Sequence, residues 1–237
     1  MPQQKLPFVS DDVLREEVKK VLLIAQSAVD LAETNLYQNV IDPFSAVFDA
    51  MRQGVTLTDW LEQEKARQIQ KTMQNAVGDF HQAILGNVDE WTDLRVGGVA
   101  DLKCDSRQIV AEVKNKYNTT KGNHKKVIYD DLNTLITSTY NGYTGYYVEI
   151  IPKSKRPYDN PFTPSDNETG QRRPTNEKIR IIDGRSFYKL VTGHDDALKN
   201  LYKVLPEVIA EILNSDPGIV TSDPIHQDLF ARAYPEL

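Results

Sequence analysis

Asp101, Glu112 and Lys114 are the side chains whose types and spacing can do chemistry. They lie in Val96–Tyr117, VGGVADLKCDSRQIVAEVKNKY, which reads as two strands, Gly98–Lys103 and Gln108–Tyr117, joined by a turn at 104–107. Asp105 and Ser106 are turn formers because their short polar side chains satisfy the local backbone. In the second strand Ile109, Ala111 and Val113 face one way and Val110, Glu112 and Lys114 the other. Folding back at the turn sets Asp101 beside Glu112. Two carboxylates and an ammonium at one point leave excess negative charge. A hard divalent cation neutralises it, and Mg2+ typically takes one or two protein carboxylates plus water and phosphate oxygens. The carbonyl of Val113 can add a ligand, and Lys114 then stands beside an incoming phosphate. Such a set suits phosphodiester hydrolysis. It also suits a salt-bridge ladder on an exposed sheet face.

Asp101…Glu112-x-Lys114 on a hairpin resembles the PD-(D/E)XK nuclease superfamily, which includes most type II restriction endonucleases. One departure is Ala100, where a Pro often precedes the first acid. The resemblance implies an α/β fold: a restriction-endonuclease-like mixed β-sheet flanked by helices. It also implies a helix before the hairpin that lines the site and sometimes lends a further polar residue; Glu64, Asn75, Asp79 and Gln82 stand there. EVKNKYNTTKGNHK…YDDL is similar to the small group cutting GGNCC sites. That implies a homodimer on a pseudo-palindrome of double-stranded DNA, because protein two-fold symmetry mirrors that of the site. A repair or junction-resolving nuclease on the same core, and a non-catalytic DNA-binding module, are the alternatives.

The elements that must position these residues follow from the rest of the chain. Its 237 residues, 40% hydrophobic and 26% charged, suit one endonuclease domain, 1–237. A core of about 56–183 follows an N-terminal helical part, 11–55, and precedes a C-terminal one, 195–237. Helices are expected at 11–37, capped by Ser10-Asp11-Asp12, at 44–52 after Asp42-Pro43, and from Thr56 or Thr58 to Leu85. The first carries an apolar stripe that includes Val18, Ile24, Val29 and Leu31, and the stripe of the third, including Trp60, Met73 and Phe80, reads as core. A first strand lies at 89–95, a helix at 124–138, and strands at 145–151 and 179–183. A short helix or strand extension spans 185–191. Ala197–Leu213 is a helix that Pro206 should kink or split. The tail from Ser215 reads as irregular.

Two stretches are candidates for holding DNA. Asn118, Thr119, Thr120 and Lys121 leave the strand end that carries Lys114 and Lys116, and His124 opens the next helix. Lys125 and Lys126 there oppose the helix dipole, at a small cost in folding that phosphate contacts can offset. The Pro- and Asn-rich segment 153–178 carries Lys153, Lys155, Arg156, Gln171, Arg172 and Arg173. Arg, Asn and Gln are the types that read base edges, and a loop this long is functional or mobile. Net charge is −6, so any DNA surface must be local. One cysteine, Cys104, excludes a disulfide framework and multi-cysteine zinc sites, and the histidines lack metal-ligand spacing. There is no membrane-length apolar run and no signal-peptide layout at the N-terminus, so the expected setting is the cytoplasm; the resemblance implies a prokaryote.

Overall fold

A computed structural model describes residues 4–95, 98–120 and 122–234. Among these residues six strands form one mixed sheet in the order β1-β2-β3-β4-β6-β5. These are β1 Trp91–Asp93, β2 Leu102–Cys104, β3 Ile109–Lys116, β4 Thr144–Ile151, β5 Asp159–Pro161 and β6 Ile179–Asp183. β1, β2 and β3 run antiparallel in sequence, β3, β4 and β6 are parallel, and β5 closes the far edge antiparallel to β6. Parallel neighbours need a crossover; between β3 and β4 it is the helix α5, Gly122–Thr137.

The remaining helices are α1 Asp11–Asp30, α2 Ala32–Gln38, α3 Pro43–Gln53, α4 Leu57–Gly86, α6 Gly184–Thr192, α7 Ala197–Leu213, α8 Gly218–Thr221 and α9 Ile225–Ala233. Two compact units result: Lys19–Asp79, and the larger sheet-bearing unit that contains Phe80–Leu237 and the N-terminal residues to Val18.

Strand alternation divides the sheet into two faces. One carries Val110 and Tyr147, which pack with Ile128, Tyr129, Leu132 and Ile136 of α5 and with Phe162. On the other, Trp91 and Tyr146 meet Phe187 of α6 at ring-centroid distances of 5.7 and 6.1 Å. α6 comes this close because residue 184 is glycine: a Cβ there would stand 2.2 Å from the carbonyl oxygen of Ile150.

Several expectations are corrected. The first helix breaks at Leu31 into α1 and α2, where Ile24, Val29 and Leu31 of its stripe stand exposed, and Met73 of α4 is exposed, not core. Helical period marks an apolar stripe but not what covers it. The hairpin's first strand is shorter than expected, with 98–101 outside it. Asp101 nevertheless exchanges backbone bonds with both neighbours, accepting from Leu94 and donating to Ala111. The segment after β4 is not structureless. It contains β5, whose Pro161 is tolerated on an edge strand, and a bridge between Ser165 and Arg172. α7 is not split at Pro206 but runs through it as one helix, its lost hydrogen bond offset by the buried Leu198, Leu201, Val208 and Ala210. The tail forms α8 and α9, entered through Pro217 and Pro224, because proline is well placed at a helix start.

Candidate active site

β2 and β3 pair with Leu102 opposite Ala111 and Cys104 opposite Ile109. Just before that register begins, Asp101 donates its N–H to the Ala111 carbonyl at 2.9 Å, which holds it against β3 beside Glu112. The turn holding it is Asp105–Gln108, with Gln108 in the left-handed region at φ 53°. Asp101 Oδ2 accepts the Val113 N–H at 2.7 Å, so the first acid is pinned to the strand that carries the second. Lys114 Nζ lies 2.5 Å from Glu112 Oε1. The two carboxyl groups are within hydrogen-bonding reach of each other.

Crowding acid groups in a half-buried place has a predictable electrostatic result. Burial first, then the Asp101 charge, pushes the Glu112 carboxyl up to about 6. Burial likewise raises Asp101, against the Val113 N–H and the Lys114 charge, while nearby Asp93 adds to the rise. For Lys114 burial acts downward, but the hydrogen bond and charge of Glu112 and the charge of Asp101 outweigh it and raise the ammonium. The site therefore holds more negative charge than one lysine balances, which is what a divalent cation would relieve. Among the described residues no group of three or more His, Cys, Asp or Glu side chains could hold a metal. A cation here would rest on two carboxylates and complete its shell with water or phosphate, as Mg2+ commonly does.

The sequence reading missed the parallel neighbour. β4 sets Tyr147 opposite Glu112 and Glu149 opposite Lys114, and β6 sets Asp183 opposite Glu149. Glu149 is 3% exposed. It accepts from Lys125 Nζ at 2.5 Å and from the Tyr158 hydroxyl at 2.6 Å. Lys125 stands 5.3 Å from the centre of the Tyr147 ring. Asp183 accepts from the Tyr158 N–H and from the Ser186 backbone and hydroxyl, and so caps α6. Lys125 at the start of α5 is thus held over the same face as Glu112 and Lys114 by a buried acid. Only a charge inside an apolar strand could have signalled it: Glu149 interrupts the run GYYVEII.

The other expected residues are scattered in role. Of the four helix candidates, Gln82 donates to Asp93 Oδ1 at 3.0 Å, and Asp93 acts on Asp101. Glu64 is paired with Arg67 at 2.5 Å. Asn118, Thr119 and His124 are exposed and Lys116 half-buried. The Thr119 hydroxyl is taken by the Lys116 carbonyl, and Thr120 is buried. Lys121 lies outside the described residues. Lys126 is not free for phosphate: it pairs with Asp166 and Glu168 at 3.1 and 2.8 Å. Arg173 is likewise engaged by Asp130 and Asp166, and Tyr129 donates to the Pro174 carbonyl. These contacts fasten the segment after β4 to α5. Lys153, Lys155, Arg156, Gln171 and Arg172 are exposed, although one Arg172 Nη donates to the Thr163 carbonyl at 3.3 Å.

A mixed sheet whose central hairpin brings two acids and a lysine to one face, with helices packed on both sides, is the restriction-endonuclease-like class. The family model of the Eco47II restriction endonuclease matches residues 6–214. The type II restriction enzyme Eco47II of Escherichia coli is 45% identical over 216 residues, which cover 90% of this chain and 90% of that enzyme. The type II restriction enzyme Sau96I of Staphylococcus aureus is 32% identical over 210 residues, 87% of this chain and 80% of the relative. No solved structure matches. The chain belongs to the Eco47II restriction endonuclease family, and its activity class is that of a sequence-specific restriction enzyme.

Proposed function

We propose that this chain cuts both strands of a short, nearly palindromic DNA site as a homodimer, using Mg2+ held by Asp101 and Glu112. The observation that carries the reading is the meeting of Asp101, Glu112 and Lys114 at one point of the hairpin. The Val113 carbonyl is a further proposed ligand. When bound, the cation supplies charge neutralisation at the phosphate and activation of the attacking water. Lys114, raised in pKa and ion-paired, acts as a cation. It orients the water and steadies the negative charge that builds on the phosphate. Lys125, fixed by Glu149, adds a second positive charge on the same face. Lys116, Asn118, Thr119, Thr120, Lys121 and His124 are proposed to hold the backbone, and Lys153, Lys155, Arg156, Gln171, Arg172 and Arg173 to supply further contacts, with Arg and Gln suited to reading bases. The exposed members of the second group are the better placed, since Arg173 is held by Asp130 and Asp166. GGNCC is the recognition sequence that the resemblance implies, and the prokaryotic cytoplasm is the setting.

The test is digestion of a mapped plasmid, with duplexes carrying each central base pair of GGNCC. Discrete fragments from cutting at that motif support the reading. A smear, cutting only at branched DNA, or no cleavage with Mg2+ would each defeat it. Asp101→Ala, Glu112→Ala and Lys114→Ala should each abolish cleavage and leave some DNA binding. Full activity in any one refutes the site.

A further inference from the structure

The unit Lys19–Asp79 is built with its apolar surface turned outward. Its buried apolar side chains are Leu36, Ala46, Ala50, Trp60 and Ala76, a small core for a unit of this length. Yet its large exposed apolar side chains outnumber those of the rest of the described chain. The imbalance is sharpest in α3. Small Ala46 and Ala50 face Trp60 in its core cluster. Phe44, Val47, Phe48 and Met51 are 76%, 51%, 78% and 78% exposed. Their spacing, i, i+3, i+4 and i+7, makes one continuous stripe along the helix. The helix itself is securely specified. Asp42 caps it by accepting the Phe44 N–H, Pro43 opens it, and Gly54 closes it at φ 70°. A helix this well defined, with its small residues inward and its large ones outward, is a formed surface.

We infer that the outer face of α3 is the two-fold contact between two copies of this chain, with the Phe44–Val47–Phe48–Met51 stripe packed against itself. The inference rests on the homodimer reading above. One Asp101–Glu112–Lys114 set occurs per chain, and cutting two strands takes two sets. The stripe presents on the order of 500 Å² of apolar surface, taking about 150–250 Å² for each large aromatic. That is at the top of what monomers leave exposed in one patch and a large share of the ~800 Å² that each partner gives to a standard interface. The charge of the unit argues against DNA as the occupant: acidic residues outnumber basic ones between 19 and 79. On α3, Arg52 is paired with Asp49, so the helix offers little to phosphates. A self-complementary stripe is what an isologous contact needs.

The experiment compares the full chain, Phe48→Asp/Met51→Asp, and Leu229→Asp, an exposed apolar position on α9, by sedimentation at micromolar protein. The wild type and Leu229→Asp should be dimers. The double variant should be monomeric, with a dissociation constant raised roughly 100-fold or more. It should keep its helical circular dichroism and lose double-strand cleavage until its concentration is raised. A dimeric double variant overturns the α3 assignment and leaves the homodimer reading standing. A wild type that is monomeric both free and on its DNA site removes the homodimer reading and this inference with it. A double variant that stays dimeric but binds DNA less tightly assigns the face to DNA and also overturns it. Should the double variant unfold, Phe48 replaced by p-benzoylphenylalanine decides: irradiation should join two copies at that position, and absence of the joined species in a dimeric sample overturns the inference.

Discussion

Asp101→Asn separates a metal-binding centre from a structural ladder, because the two make opposite predictions for stability. Asparagine keeps an oxygen that can accept the Val113 N–H, now at 2.7 Å from Asp101, so the hairpin geometry survives. What disappears is a negative charge beside Glu112. The Glu112 carboxyl stands at about 6 against an ordinary 4.5, a difference equivalent to about 2 kcal/mol. The sign follows from proton linkage. A carboxyl raised by folding binds more protons in the native state, so its contribution to stability falls as pH rises from about 4.5 to about 6 and is lost above that. Burial is the larger cause and the Asp101 charge the next, so removing that charge should return on the order of 1 kcal/mol at neutral pH in EDTA. Urea unfolding with EDTA and with Mg2+, beside plasmid cleavage, reads the outcome. Wild type should gain stability with Mg2+ by mass action. Asp101→Asn should be more stable than wild type in EDTA, gain nothing from Mg2+, and cut nothing. If Asp101→Asn is the less stable protein in EDTA, or Mg2+ leaves the wild type unmoved, the charges are a ladder and the metal reading is wrong.

Glu149→Gln removes one partner of a buried pair and leaves Lys125 facing a neutral amide. A loss of about 2–4 kcal/mol is expected in urea unfolding, with slower cleavage; a loss below about 1 kcal/mol would show that Lys125 is not held as described. Gly184→Ala should be severe, since its Cβ would lie 2.2 Å from the Ile150 oxygen and 2.6 Å from the Ile150 Cα, atoms of a central strand that cannot turn aside. Thermal unfolding should fall by about 6–12 °C, for a cost of about 3 kcal/mol, and an unchanged midpoint contradicts the close packing. His81 shares a 2.7 Å hydrogen bond with the Tyr188 hydroxyl, and burial lowers it from 6.5 to about 4. In that window the unfolded chain binds the extra proton, so stability should drop as pH falls from about 6.5 to about 4, by at most about 3 kcal/mol. His81→Leu should flatten that part of the stability–pH curve, and an unaltered slope would assign it to other groups.

What the sequence determined by itself is whatever depends on neighbours along the chain. A turn and strict alternation are enough to put Glu112 and Lys114 on one face and Asp101 beside them. Asp42-Pro43 and Gly54 bound α3, and runs rich in β-branched and aromatic residues mark β4 and β6. What only the tertiary structure decided depends on partners distant in sequence. The parallel pairing of β3 with β4 sets Glu149 opposite Lys114, and α5 brings Lys125 down onto that acid. β5 exists because the β6 edge is there to receive it. Periodicity drew the apolar stripes of α1 and α4 without saying which surface would cover them, and the outward stripe of α3 emerged only in the structure. Leu31, Phe48 and Met51 stand exposed because helical spacing fixes which residues share a face, while burial is settled by what else the fold brings against it.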